Sequence, residues 1–170
     1  MIEHRLIERM IALIDKEVRR IESENIVHQP FIDSAVDFIL TYADWTHHGK
    51  EEDILFRELS KKKISGVDSV IMNELIQEHI LSRAIAAELA KSSGDLLKGD
   101  KAALPVTTLS LRKFVELYPK HIEKEDTVFF PSAMTYFSEP EQLLMLDEFR
   151  KFDEKMIHAK YRSVVDFIER

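Results

Sequence analysis

Residues 111–131 read LRKFVELYPKHIEKEDTVFFP, and they place two polar side chains on an otherwise apolar helix face. An α-helix has about 3.6 residues per turn, so residues three and four positions apart share a face. The face that begins at Leu111 is predicted to comprise Leu111, Phe114, Tyr118, His121, Glu125 and Val128. His121 and Glu125 therefore occupy positions at which a core residue is expected.

Three further stretches have the same feature. In one, His47 and Glu51 repeat the four-residue spacing, on a face predicted to comprise Val36, Leu40, Ala43, His47, Glu51 and Ile54. In another, His79 interrupts the series Ile71, Leu75, His79, Ser82, Ala86 and Leu89. Near the start of the chain, His4 lies one turn before Ile7. Four helices thus direct imidazoles inward, and two of them add a carboxylate one turn later.

Periodicity and helix-boundary residues predict an all-α fold. The predicted helices cover about residues 2–23, 30–63, 67–92, 101–128 and 139–170. Short connections make consecutive helices antiparallel neighbours, so we predict an antiparallel up-down four-helix bundle. Residues 1–170 are interpreted as one domain, with a metal-binding bundle over residues 1–131. The additional C-terminal helix, residues 139–170, is expected to pack outside the core through Leu144, Phe149, Phe152, Met156 and Val164.

The inward polar residues are predicted to meet at one level of this bundle. At about 1.5 Å of rise per residue, counting along each helix brings them to the same height within about one turn. A single inward histidine is usually a hydrogen-bonded core residue, but buried carboxylates without a cation cost several kcal/mol each. A cluster of imidazoles and carboxylates suits Fe, Zn, Mn or Ni. We therefore predict a metal site formed by His4, His47, Glu51, His79, His121 and Glu125.

Composition excludes several other classes of protein. The chain has 170 residues, no cysteine and a net charge of -7. The charge disfavours binding to a nucleic-acid backbone, and the absence of cysteine excludes disulfides and thiolate metal sites. The charged first turn is not typical of a signal peptide or a membrane span, so a cytoplasmic location is expected.

Two motifs resemble those of the hemerythrin-like (HHE) family. HHGKEEDILF, residues 47–56, is similar to the family's HHxKEExxLF motif, and HIEKEDTVFFP, residues 121–131, is similar to its HxxxExxxLFP motif. The resemblance extends over about residues 1–131. It implies a bundle that holds two non-haem irons about one helical turn apart. It also implies terminal histidine ligands and bridging glutamates, namely His4, His47, His79 and His121 with Glu51 and Glu125.

The sequence also departs from the oxygen-carrying members of that family. Those proteins have a fifth histidine one turn from the ligand on the third helix, where this chain has Leu75 and Arg83. They also place an aspartate five residues after the last histidine, whereas Glu125 follows His121 by four. Of the remaining histidines, His48 is interpreted, with Glu52, as lying around the ligands or at the surface, His28 as solvated and His158 as a helix-face residue.

Two classes of function follow from these observations. The favoured one is a protein that binds or senses O2, NO or iron at a di-iron site, since histidine-rich coordination is expected to favour reversible binding. Zn, Mn or Ni could replace iron in a purified sample. The alternative is a di-iron redox enzyme, either oxidase- or peroxidase-like or related to iron–sulfur cluster repair. The chain has no Glu-x-x-His pair, which disfavours a ferritin-like site, and no His-Glu-x-x-His helix, which disfavours a zinc hydrolase.

Overall fold

Within residues 2–168, the computed structural model forms five helices and no strand. For residue 2 and residues 157–159 and 161–168, the structure describes the main chain alone. The helices are α1 (Ile2–Glu24), α2 (residues 29–59), α3 (Gly66–Leu97), α4 (residues 104–133) and α5 (Glu139–Ile168). The all-α prediction is therefore confirmed, and α3 extends five residues beyond its predicted end.

Local sequence signals explain where these helices begin and end. Asn25, with a φ of 55°, follows the last residue of α1 in a left-handed conformation that asparagine tolerates well. Pro30 lies in the first turn of α2, where its missing N–H costs nothing. The Ser65 hydroxyl accepts a hydrogen bond from the Asp68 N–H and caps α3.

Side-chain pairs establish that neighbouring helices run antiparallel. Between α3 and α4, Glu78 contacts His121, and Ser92 contacts Thr107 closer to the connecting loop. The other pairs agree, since residues near the start or the middle of one helix contact residues in the second half of the other. They include Glu3–His47 between α1 and α2, Asp44–Arg83 and Gln29–Ser93 between α2 and α3, and His4–Asp126 between α1 and α4.

Two apolar clusters lie on either side of a polar layer. The larger cluster contains Ile7, Ile11, Ile14, Ile85, Leu89, Leu111, Phe114 and Tyr118. The smaller contains Ile54, Leu55, Phe56, Leu59, Leu75, Phe129 and Met145. Burial of these side chains contributes most of the stabilisation of the fold. Along their helices, the buried His47, Glu51, His79, His121 and Glu125 lie between residues of the two clusters.

Three π-helical segments interrupt α2 and α4 at the polar layer. They are Ile39–His48, Glu51–Phe56 and Glu125–Phe129. A π turn contains more residues than an α turn, because its N–H groups bond to carbonyls five residues earlier. Consequently Ile39, Ala43, His47 and Glu51, four residues apart, are all buried, although this spacing would drift around an α-helix.

The π turns also correct two of the predicted core positions. Helical periodicity predicts Leu40 and Val128 on the inward faces of the second and fourth helices, but they are 37% and 47% exposed. Ile39 and Phe129 are buried instead. Both errors arise from extending a strict α-helical period across residues that belong to wider turns.

Helix α5 packs against α2 near the polar layer. Gly49 permits this contact, since a Cβ atom at residue 49 would lie 2.9 Å from the Phe152 ring. Phe149 and Phe152 pack against the smaller apolar cluster, and Met145 is buried in it. Leu144, predicted to face the bundle, is instead 66% exposed. The side chains of Val164 and His158 lie outside the described part of the chain.

No helix within the described residues combines the length and the apolarity needed to span a bilayer.

Candidate metal centre

The first group of ligand atoms comes from α1, α2 and α4. His4 and His47 are fully buried, and their Nε2 atoms lie 3.1 Å apart. His4 Nε2 is 3.2 Å from Oε2 of Glu125, and His47 Nε2 is 3.5 Å from Oε1 of Glu51. We call these four residues the first subsite, because their ligand atoms all lie within 4.8 Å of one another.

The second group contains the same two carboxylates and histidines from α3 and α4. His79 Nε2 lies 3.4 Å from Oε2 of Glu51, and His121 Nε2 lies 3.4 Å from Oε1 of Glu125. These four residues, the second subsite, also have ligand atoms within 4.8 Å of one another. Each glutamate therefore presents one oxygen to each subsite, which is the arrangement of a carboxylate that bridges two cations.

Each of these four histidines also contacts a carboxylate through its second ring nitrogen, Nδ1. These carboxylates lie outside the two subsites. His4 Nδ1 contacts Asp126 at 2.8 Å, and His47 Nδ1 contacts Glu3 at 3.1 Å. His79 and His121 have equivalent contacts of 2.7 Å with Glu52 and Glu78 respectively. Carboxylates in this position fix the proton on Nδ1 and raise the basicity of Nε2, as is usual for metal-binding histidines.

The buried polar atoms of the layer fit a cation and little else. Both oxygens of Glu51 and of Glu125, and Nε2 of His79 and of His121, have no hydrogen-bond partner among the described residues. Buried groups left in this state cost about 1–3 kcal/mol each, and charged groups cost more. With protons on both Nδ1 atoms, the Nε2 lone pairs of His4 and His47 would face each other at 3.1 Å. Cations between these atoms would relieve both costs.

Burial determines the direction of the pKa shifts. Burial, together with the charge of Glu125, raises the pKa of Glu51 well above its ordinary value of 4.5. Burial also lowers the pKa of His47, despite its hydrogen bond with Glu3. The layer therefore disfavours the charged forms of Glu51 and of His47, whereas the neighbouring histidines outweigh burial at Glu125 and lower its pKa. Neutral imidazoles are the form in which histidine binds metals.

Comparison with known proteins agrees with this chemistry. The family model described as "Hemerythrin HHE cation binding domain" matches residues 1–133.

This chain belongs to the hemerythrin HHE family.

The curated relatives of this HHE domain are distant. Uncharacterized proteins of Mycobacterium tuberculosis and Mycobacterium bovis are each 24% identical to it over 167 residues. The alignment covers 96% of this chain but 64% of each relative, so the chain spans less than two thirds of their length. No solved structure matches the chain.

The HHE domain brings all six sequence-predicted ligands, His4, His47, Glu51, His79, His121 and Glu125, into one layer. Their role as ligands stays a prediction. The exposed His28 lies outside the layer, and its main-chain N–H donates to Glu17. Glu52 lies outside the ligand set, as expected. His48 is 1% exposed, which excludes the surface alternative, and one of its ring nitrogens lies within 4.8 Å of ring nitrogens of His79 and His121, beside the predicted ligands.

An apolar cavity of about 300 Å³ adjoins the first subsite. His47 and Glu51 contribute to its wall on the side of the metal centre. The remainder of the wall is mostly apolar and includes Leu55, Met145 and Leu146. Leu146 in the same wall is 59% exposed, so the cavity extends from the protein surface to Glu51.

Proposed function

We propose that this HHE domain holds a dinuclear iron centre at which a small ligand, O2 or NO, binds. The observation that carries the proposal is the orientation of Glu51 and Glu125, each with one oxygen toward each histidine group. A single ion would not use both oxygens of both carboxylates in this way. Two ions that share the carboxylates would use all four.

The ligand set supports iron among the possible metals. Imidazole and carboxylate donors suit iron, as well as Zn, Mn and Ni, and cation binding is characteristic of the family. Bound iron would supply a redox-active Lewis acid that can take an additional ligand. In a second form of this proposal, the species that the domain binds or senses is iron itself.

The protein's own residues would control which ligands reach the centre. The apolar clusters exclude water from the polar layer, and the cavity beside Glu51 admits small uncharged molecules more readily than ions. Lys50 is 7% exposed and pairs with Glu3, which also holds His47. This pair orients the first subsite at the point where it meets the cavity.

Anaerobic reconstitution with Fe²⁺ tests the proposal. We expect close to two irons per chain, with absorption changes on addition of O2 or NO. The double variant Glu51→Gln and Glu125→Gln should lose most of the iron, whereas Glu88→Gln, which removes an exposed carboxylate, should retain it. Full iron retention by the double variant, or failure of the native chain to bind iron, would overturn the proposal.

The size of the cavity favours a second candidate, a di-iron redox enzyme. A volume of about 300 Å³ exceeds the needs of a diatomic molecule and lies at the lower end of pockets for small organic ligands. Catalytic consumption of O2 or H2O2 by the iron-loaded protein in the presence of a reductant would support this candidate over reversible binding. The cytoplasmic location stays a prediction.

A further inference from the structure

A continuous series of polar contacts joins α5 to the first subsite. Asp153 Oδ1 on α5 lies 2.7 Å from Nζ of Lys50, and the same ammonium group pairs with Oε1 of Glu3. The other oxygen of Glu3, Oε2, lies 3.1 Å from Nδ1 of His47, a predicted ligand. The series therefore runs from an acidic residue on α5, through a cation and a second carboxylate, to the imidazole of the first subsite.

The cation in the middle of this series is buried. Lys50 is 7% exposed, so water solvates its ammonium group poorly, and a buried charge is stable only when it is paired. The carboxylates of Glu3 and Asp153 share this charge. Without Asp153, the ammonium group would depend on Glu3 alone, the carboxylate that also holds His47.

The charge left on Glu3 determines how strongly it acts on His47. A carboxylate at Nδ1 of a metal-binding histidine orients the ring and raises the basicity of Nε2. An ammonium group bonded to Glu3 alone would draw that carboxylate toward itself and neutralise more of its charge. Because Asp153 takes part of the charge of Lys50, Glu3 keeps its position and its charge for His47.

Packing of the neighbouring residue fixes Asp153 in place. Phe152 packs so closely against Gly49 that a Cβ atom at residue 49 would lie 2.9 Å from its ring. Phe152 and Asp153 thus meet Gly49 and Lys50, which are consecutive residues of α2 between the two predicted ligands of that helix. The ion pair is therefore set by the packing of two helices as well as by two side chains.

A second ion pair between α5 and α2 offers a comparison. Arg57 lies 2.6 Å from Glu148, and their side chains are 45% and 44% exposed. The other carboxylate near Arg57 is that of Glu58, in the last turn of α2. Exposed pairs of this kind contribute little to stability. The side chain of Glu148 is as exposed as that of Asp153, but its partner is a solvated cation.

We propose that Asp153 is a positioning residue of the first subsite, which acts on His47 through Lys50 and Glu3. This inference rests on the proposed function. The family match covers residues 1–133 and does not include α5. Asp153 makes α5 part of the metal-binding unit, because the affinity of the first subsite then depends on the packing of this helix.

Titration with Co²⁺ under argon measures the effect on metal binding. The native chain should bind two ions, and Asp153→Asn should weaken one of them by about tenfold. This is the lower end of the range for outer-shell partners, because Asp153 acts through two intervening groups. Glu148→Gln, the matched control, should bind both ions as the native chain does. Asp153→Glu keeps the charge on a partly exposed side chain and should retain both affinities.

Histidine ¹⁵N resonances of the metal-free protein report on the same series of contacts. Asp153→Asn should shift the Nδ1 resonance of His47, because the charge on its carboxylate partner changes. The Nδ1 resonance of His121, which contacts Glu78 on α3, should stay unchanged. Glu148→Gln should shift neither resonance. A general loosening of α5 would affect both variants alike, whereas the proposed role affects His47 in Asp153→Asn alone.

The two measurements separate this inference from the proposed function. Failure of the native chain to bind two ions would overturn the dinuclear centre, and the resonances of the metal-free protein would still decide the role of Asp153. If Asp153→Asn matches Glu148→Gln in its Co²⁺ affinities, or leaves the His47 resonance unchanged, Asp153 does not position the first subsite.

Discussion

The guanidinium of Arg83 donates a hydrogen bond of 2.8 Å from Nε to Oδ1 of Asp44, the carboxylate oxygen that faces His48. A second nitrogen of Arg83 donates to Glu52 at 2.8 Å, and that carboxylate holds Nδ1 of His79. One cation on α3 thus fixes two carboxylates on α2. Arg83 lies one turn from His79, at a position where oxygen-carrying family members are expected to have a histidine. Arg83 does not replace that histidine but positions His48 and His79 through the carboxylates of Asp44 and Glu52.

Arg83→Met should weaken metal binding at the second subsite more than at the first. The methionine retains much of the apolar stem but leaves Asp44 and Glu52 without their shared donor. We expect an affinity loss of about 10- to 100-fold at one of the two sites, as for other outer-shell substitutions. Co²⁺ titration measures both affinities. Arg19→Met removes an exposed ion pair with Asp15 and serves as the control; equal behaviour of the two variants would refute the role of Arg83.

The carboxylate of Glu17 should make the stability of the metal-free protein depend on pH. Burial alone would raise the pKa of Glu17, but hydrogen bonds from Arg20 and from the main-chain N–H of His28 outweigh it and lower the pKa below 4.5. A lowered pKa in the folded state stabilises the protein above the unfolded-state value, and this stabilisation is lost as the pH falls through the folded-state value.

Glu17→Gln should therefore destabilise the metal-free protein by about 1 kcal/mol near neutral pH. The difference from the native chain should shrink below pH 4.5. Urea unfolding followed by circular dichroism at several pH values measures this difference in the free energy of unfolding. Glu24→Gln, which removes the exposed partner of the same Arg20, should change stability much less. A difference between Glu17→Gln and the native chain that is independent of pH would contradict this assignment.

Two glycines should respond in opposite ways to replacement by alanine. Gly94 lies within α3, and a Cβ atom there meets nothing within 4 Å, so Gly94→Ala should stabilise the fold by about 0.5–1 kcal/mol. At Gly49 the new methyl would lie 2.9 Å from the Phe152 ring, which must then move. We therefore expect Gly49→Ala to lack the stabilisation expected of Gly94→Ala and to weaken the packing of α5 against α2. Thermal unfolding compares the two variants, and equal gains in melting temperature would show that α5 does not pack closely at Gly49.

The sequence predicted the helices and the grouping of the six polar residues because both follow from regular periodicity. In α1, the spacing of Ile7, Ile11 and Ile14 is that of an α-helix, and all three are buried as expected. The same holds for Leu75, His79 and Ser82 on α3. Neither helix contains a π turn, so counting residues gives the correct face.

The burial of His48 could not be predicted in this way. An α-helix separates His47 and His48 by about 100°, so counting assigns only one of them to the interior. The π turn over Ile39–His48 changes this angle, and regular helical periodicity does not predict such a turn. The doubled histidine was the available signal, together with an aspartate, Asp44, one turn before His48.

The cavity beside the first subsite leads to the last prediction. Leu146 lines the cavity and is 59% exposed, so a larger side chain there should narrow the opening without forcing atoms into the buried core. Met145 is 5% exposed and is a poorer position for this substitution, because overpacking a core residue costs about 1–3 kcal/mol. If small ligands reach the metal through this cavity, its mouth should control the rate of their entry.

Leu146→Trp should slow the association of NO with the iron-loaded protein by about tenfold, which corresponds to about 1.4 kcal/mol in the barrier to entry. The iron content should not change, since Leu146 is 59% exposed and is not one of the predicted ligands. Stopped-flow absorbance after anaerobic mixing with NO measures the rate. Leu144→Trp supplies the matched control, because Leu144 lies on the same helix, is 66% exposed and does not line the cavity. Slowing by Leu146→Trp alone would establish the cavity as the entry route. The same rate in both variants and the native chain would show that small ligands reach the centre by another path.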